Sequence, residues 1–371
     1  MRKITLSMIV KDEAPIIKRC LLSVIPYIDY YIISDTGSSD ETKKIIKETM
    51  DEAGIEGEIH DDIWVDFGFN RSKVLERCYG KTKWAIMIDA DDSIEGNLPI
   101  DKLSDEIDSY TVLLEKDNCQ WRRTQIFNFT RKKWRYEEPL HEFPACDGEA
   151  TSGDLYGDYI WRARCEGNRN QNPIQKYKND YELLKKHLKN NPNDSRKQFY
   201  AAQSAFDAFM YKESEQEYLK RISLGGWYEE IFYSWYRIGL SRWIRNQSTN
   251  SIVEAFTKAF EASPSRLEPI VNLSWYYRSI NRPVAGFMIA LSGLNIKETN
   301  DILFVDKECY IWRIYDEVAS TAFYANRPDI GIPCCKKLLQ ENLAPKNEIP
   351  RILENLKLYN KQFKNVIEIS V

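Results

Sequence analysis

The stretch Ala85–Ile94, AIMIDADDSI, runs four apolar residues straight into three carboxylates within four positions, Asp89, Asp91 and Asp92. The apolar half has the composition of a buried strand. The acidic half continues no hydrophobic period, so the chain turns there. Asp-rich turns after strands are common, because Asp caps helices and tolerates turn geometry. Three carboxylates this close also repel one another, and a cation among them relieves the repulsion.

Upstream of this stretch two periods alternate. KITLSMIV (Lys3–Val10) is β-rich, and APIIKRCLLSVIPYI (Ala14–Ile28) has apolar residues at helical spacing. YYIIS (Tyr30–Ser34) is β-rich again. SSDETKKIIKETMDEAG (Ser38–Gly54) reads as a helix opened by a Ser38–Glu41 capping box and closed by Gly54. GEIHDDI suits a short strand, FNRSKVLERCYG a helix ending on Gly80, and WAIMID a strand. Strand–helix–strand repetition predicts a mostly parallel, Rossmann-like α/β sheet covered by helices on both faces. Ligands of such sheets bind beyond the carboxyl ends of the strands. Lys11, Asp12 and Glu13, then Asp35, Thr36 and Gly37, then Asp89 to Asp92 all fall at those ends.

A metal held by this acidic turn is a hard divalent cation, Mn2+ or Mg2+, whose remaining positions go to phosphate oxygens. Zinc suits the chain less, because no Cys/His cluster has the required spacing. Of the three histidines, His60, His141 and His187, His141 stands apart. EEPLHEF flanks it with Glu138 and Glu142, a setting for a metal site or acid–base work.

From Asp101 to Arg164 the β-like runs SYTVLLE, RRTQIFNF and WRYEEPLHEF predict antiparallel strands and loops that complete the first domain. An Asn-rich stretch, GNRNQNP, then marks a boundary, giving domains 1–165 and 166–371. The second is helical and aromatic. Pro192 and Pro264 stand 72 residues apart, two units of 36. Helix–turn–helix repeats of ~34 residues have that spacing, so a tetratricopeptide-like array is expected, an irregular helical bundle being the other arrangement. Its aromatic residues are expected chiefly as core.

The 371 residues suit two or three domains, and the 43% hydrophobic content builds real cores. A net charge of −4 argues against a surface made to neutralise a nucleic-acid backbone, although TRKKWR (Thr130–Arg135) is locally basic. No apolar run approaches the ~20 residues of a membrane span. The N-terminus reads as a strand and not as a signal peptide. Eight cysteines without CxxC spacing suit reduced thiols and a cytoplasmic setting.

Five motifs in order resemble inverting family 2 glycosyltransferases of the GT-A fold that carry C-terminal tetratricopeptide-like repeats. They are LSMIVKDE, ISDTGSSDET, WVDFGFNRSKVLE, WAIMIDADD and RRTQIFNFTRKKWRYEEPLHE, covering about residues 4–143. The resemblance implies a nucleotide-sugar donor, a UDP-sugar, with Mn2+ or Mg2+. It implies that Val10, Lys11 and Glu13 line the nucleotide pocket and that Asp35 contacts the base. Arg71 then approaches the diphosphate, Asp89 faces ribose or metal, and Asp91 and His141 serve the metal. The proton acceptor is Glu142, with Asp92, Glu138 and Asp147 as rivals. The acceptor is a hydroxyl or other side chain on a protein or peptide; a glycan or a modified DNA base is the alternative. FNRS in place of the family's ARN and Pro139 before the histidine are departures that remove no ligand type. A repeat scaffold that only binds nucleotide is the reading from a different class, and a nucleotidyltransferase fits the motifs less well.

Overall fold

Strict alternation along β1 (Arg2–Val10) sends Ile4, Leu6, Met8 and Val10 to one face of a sheet. β1 is central. β2 (Tyr30–Asp35) runs parallel on one side, with β3 (Gly57–Asp61) parallel beyond it, and β4 (Thr82–Met87) runs parallel on the other. The sheet extends through β5 (Ser93–Gly96), β6 (Ser109–Lys116), β7 (Cys119–Asn128), β10 (Ser152–Asp154) and β11 (Tyr159–Arg162). Its order is β3-β2-β1-β4-β7-β6-β11-β5, with β10 beside β6. A separate hairpin joins β8 (Trp134–Glu137) and β9 (Phe143–Cys146).

The computed structural model describes residues 2–116, 119–164, 166–167 and 172–363. The chain forms two compact units, Met1–Lys176 and Tyr177–Val371. Most of GNRNQNP, together with Cys165 and the side chain of Cys119, lies outside the described residues. No described helix is long and apolar enough to cross a membrane.

In the first unit, α1 (Ile17–Val24) and α2 (Thr42–Glu52) cover the Ile4–Leu6 face, burying Cys20, Leu21, Ile46 and Met50. α3 (Phe67–Glu76) and the β8–β9 hairpin cover the other face, over Ile32, Ala85, Met87 and Phe127. The mostly parallel α/β architecture is therefore as expected. Two details differ. Ser38 and Glu41 make no capping box: α2 starts at Thr42 without a side-chain cap from Glu41, because the Ser38 hydroxyl accepts instead from the Asp12 N–H at 2.9 Å. The Asp101–Arg164 region is also not wholly antiparallel, since β10 and β11 run parallel to β6.

α4 (Pro173–Asn190) crosses between the units. Successive hairpins follow: α5 (Ser195–Asp207) with α6 (Tyr211–Ser223), α7 (Tyr228–Ile244) with α8 (Thr249–Ala262), α9 (Glu268–Ser279) with α10 (Pro283–Gly293), and α11 (Ile314–Ala322) with α12 (Pro328–Gln340). α13 (Ile349–Gln362) closes the series. This is a tetratricopeptide-like array. The first helices begin at 195, 228 and 268, and the last at 309, where a π-helical turn (Cys309–Arg313) leads straight into α11, so the spacings are 33, 40 and 41 residues. A long irregular segment joins α10 to this turn. Small residues allow close approach: a Cβ at Gly239 would lie 2.8 Å from the Phe256 ring. Phe206 and Tyr276 are core as expected, but Phe209, Trp227, Tyr228 and Trp275 are exposed.

Candidate active site at the carboxyl edge of the sheet

Three adjacent parallel strands deliver their carboxyl ends to one edge, with Val10 opposite Asp35 and Ser7 opposite Met87. The loops beyond them are laced together. Asp12 adopts a left-handed φ of 54°. Ser39 donates its N–H to Asp12 Oδ1 at 2.6 Å, and Glu13 donates its N–H to Thr42 Oγ1 at 2.8 Å. Lys11 is exposed on this loop. Asp35 is fully buried. Its Oδ1 accepts from the N–H groups of Gly37 at 2.9 Å and Ser38 at 2.7 Å, a tight turn that needs the +105° φ of Gly37. Its Oδ2 is buried with no hydrogen-bond partner among the described residues.

Beyond β4 the three carboxylates of the opening stretch have separate surroundings. Asp89 receives two guanidinium groups, Arg71 on Oδ1 and Arg123 on Oδ2, the latter at 3.1 Å. Burial alone would raise its carboxyl, but Arg71 and then Arg123 outweigh burial and hold it well below the usual carboxylate range. Arg71 also donates Nε–H to Glu142 Oε1 at 2.8 Å, so β4, α3 and the loop after β8 meet in one charge chain. Asp92 is 2% exposed and accepts from Trp161 Nε1–H at 3.0 Å and from the Arg164 N–H at 3.1 Å. Burial, then the charge of Asp89, pushes it up to about 7. Asp91 Oδ2 accepts from the N–H groups of Glu166 at 3.1 Å and Gly167 at 3.2 Å. Burial and Asp89 raise its carboxyl. A Cβ on Gly167 would lie 3.0 Å from Glu13 Oε1 and 3.5 Å from Asp91 Oδ2, so these two acids face the same glycine.

His141 is exposed at a left-handed φ of 56° in the 138–142 loop. Glu138, at φ 75°, sets that loop against α3, where a Cβ on Gly68 would lie 2.2 Å from its carbonyl oxygen. Asp147 pairs with Arg135 at 2.9 Å on the β8–β9 hairpin and is largely exposed. Among the described residues no three His, Cys, Asp or Glu gather to hold a metal. Asp89, Asp91 and His141 do not form such a group among the described residues, and Asp89 is paired with Arg71 and Arg123. A divalent cation still fits Asp91, which takes both of its hydrogen bonds on Oδ2. Mg2+ and Mn2+ sites commonly use one or two carboxylates and leave the rest to substrate phosphates.

Arg123, Trp161 and Gly167 are site residues that sequence reasoning missed. Arg123 stands inside the quoted RRTQIF run, but only the antiparallel placement of β7 beside β4 brings it to Asp89.

Residues 5–158 match the family model described as Glycosyl transferase family 2. The N-terminal region is thus similar to glycosyltransferase family 2 domains. The chain is 32% identical over 150 residues to a TPR repeat-containing protein of Synechococcus elongatus, covering 38% of this chain and 35% of that protein. It is 37% identical over 89 residues to the SPbeta prophage-derived glycosyltransferase SunS of Bacillus subtilis, covering 24% of this chain and 20% of that one. It thus spans 35% or less of the length of these relatives. Similar solved structures include MamA, at 12% identity and TM-score 0.36, covering 56% of this chain and 99% of that one. They also include YrrB, described as a TPR protein with an unusual peptide-binding site, at 12% identity and TM-score 0.37, covering 50% of this chain and 85% of that one.

Proposed function

We propose that the protein is a metal-dependent, inverting glycosyltransferase that moves a sugar from a UDP-sugar to a hydroxyl or other side-chain acceptor on a protein or peptide. The observation that carries the donor reading is Asp35: a buried carboxylate oxygen without a partner, at the strand edge where an α/β sheet receives its ligand. A buried acceptor left unmade is costly, and the imino N–H of a uracil base is the donor it lacks. The Val10–Glu13 loop, fixed by its bonds to Ser38, Ser39 and Thr42, forms a rigid wall beside that base.

Asp91 is the residue that would hold Mn2+ or Mg2+, and the ion when bound supplies Lewis-acid stabilisation of the departing diphosphate. Arg123 is half-exposed, unlike Arg71, and is the guanidinium suited to phosphate oxygens. Arg71 instead aligns Asp89 and Glu142. Inversion is one displacement at the anomeric carbon, in which the acceptor hydroxyl loses its proton to a base on the far side. Glu142 takes that role: Arg71 holds its Oε1, and Oε2 remains to accept the proton. Asp92 has both oxygens bonded inside the fold, so its part is to staple β11 beneath the site. The acceptor reading rests on the helical array, since repeats of this kind present extended surfaces.

Thermal shift across a nucleotide-sugar panel, followed by donor turnover with Mn2+, tests the reading. UDP-sugars should stabilise the protein by mass action, and Asp91→Ala should abolish metal-dependent binding and turnover. Full activity in Asp91→Ala would remove the metal assignment.

A further inference from the structure

Tyr136, on β8, is held in place by α3 and β7, yet its hydroxyl serves neither. One serine of α3 takes both of its main-chain groups. The Tyr136 N–H donates to Ser72 Oγ at 2.8 Å, and Ser72 Oγ–H donates to the Tyr136 carbonyl at 3.0 Å. Arg71, the neighbouring residue on α3, places its guanidinium over the ring, with Cζ 5.6 Å from the centroid. The Phe127 ring of β7 meets it edge-on at 6.2 Å. These contacts fix the ring, so only rotation of the O–H about its C–O bond is left to find an acceptor.

Tyr136 is 9% exposed, and among the described residues its hydroxyl makes no hydrogen bond. A polar group taken out of water without a partner is costly. Burial pushes the hydroxyl well above the ordinary tyrosine value, against the pull of Arg71 and Arg123, so it stays an O–H donor and not a phenolate. Glu142 and Asp89 also act on it, which places it within the charge chain of the site. Arg123 brings a second donor of the same kind. Its Nε–H is buried without a partner among the described residues, although its Nη2 reaches Asp89 at 3.1 Å. An O–H and a guanidinium N–H without acceptors, set beside two arginines, suit an oxygen that carries negative charge.

We propose that Tyr136 is a further catalytic residue, whose O–H donates to a diphosphate oxygen of the nucleotide-sugar beside Arg123. The inference rests on the transfer reading of this site and adds an uncharged donor to it. As the bond between the anomeric carbon and the diphosphate breaks, its electron pair passes to the diphosphate oxygen. The hydrogen bond strengthens with that charge, and Tyr136 keeps its proton.

Tyr136→Phe removes the oxygen alone and keeps the ring for Arg71 and Phe127. Calorimetric titration of the full chain with UDP and with uridine, both in Mg2+, reads the contact. UDP should bind the variant about tenfold or more weakly, the effect of losing a hydrogen bond to a charged group. Uridine has no phosphate and should bind both proteins alike. Because the hydroxyl has no partner in the fold, the variant should melt within about 2 °C of the natural chain. Equal losses for UDP and uridine overturn the proposal, since they place the effect in the base pocket. So does a variant that melts lower or fails to fold, which would give the hydroxyl a structural role. A natural chain that binds neither UDP nor uridine overturns the UDP-sugar reading together with this contact. A natural chain that binds UDP, with no loss in Tyr136→Phe, overturns the role of Tyr136 alone.

Discussion

The two oxygens of Asp35 have different fates, and that difference is testable at a single atom. Oδ1 builds the turn through Gly37 and Ser38, while Oδ2 is buried and unpartnered. Asp35→Asn keeps the turn by leaving its carbonyl on the Gly37 and Ser38 side, but presents an NH2 donor where the base offers its own N–H. UDP-sugar affinity should fall on the order of tenfold to a hundredfold, the usual effect of an unpaired buried polar contact, with unchanged helicity by circular dichroism. Unaltered affinity by calorimetry would dissociate Asp35 from the base. Glu142 makes a different prediction. Glu142→Gln keeps a hydrogen-bond acceptor for Arg71 Nε–H, so donor binding should persist while transfer falls by about 10² to 10⁴, the range of general-base catalysis. Donor affinity and kcat falling together would mark Glu142 as a positioning residue.

At the scale of elements, much was legible because period carries burial. Alternation placed β1, β2 and β4, and the Asp-rich turn marked where β4 ends at the carboxyl edge of the sheet. Capping was less legible, since the Ser38 hydroxyl is claimed by an amide 26 residues away in the chain. The partners of Asp89 and Asp92 were also hidden, because Arg123 and Trp161 reach them through sheet order and not through spacing. A similar tertiary contact ties β3 to its neighbours. Burial alone would raise the Glu58 carboxyl, but hydrogen bonds from Lys81, Tyr30 and His60 outweigh it and bring it from the ordinary 4.5 to about 2. A carboxyl depressed in the fold contributes stability above its unfolded value, and that contribution is lost as pH falls through the folded value. Denaturant melts between pH 4.5 and 2 should therefore show stability falling in the natural chain and a flatter profile in Glu58→Gln. Equal slopes in the two proteins would show that the cluster does not contribute.

Across the whole molecule, the helical hairpins were visible in the aromatic and small-residue pattern, whereas the irregular segment 298–307, ETNDILFVDK, was not, because it has neither period. Its anchor, Arg266, donates to the carbonyls of Leu303 at 3.1 Å and Phe304 at 3.2 Å and explains why it is ordered without secondary structure. Arg266 is fully buried, pairs with Glu268 through Nη2 at 2.6 Å, and lies over the Phe232 ring at 4.3 Å. Removing one member of a buried ion pair leaves the other charge uncompensated, at a cost of about 3–5 kcal/mol. In a unit of this size each kcal/mol moves the midpoint by roughly 2–4 °C, so Arg266→Met should lower the melting of the helical unit by on the order of 10 °C. On the proposed reading, donor and Mn2+ bind the other unit and stabilise only what binds them. Differential scanning calorimetry should then resolve two transitions, one raised by UDP-sugar with Mn2+ and untouched by Arg266→Met, the other lowered by the substitution and indifferent to donor. A single transition moved by both would mean that the two units unfold as one cooperative body, and that the buried Arg266–Glu268 pair stabilises the sheet as well as the repeats.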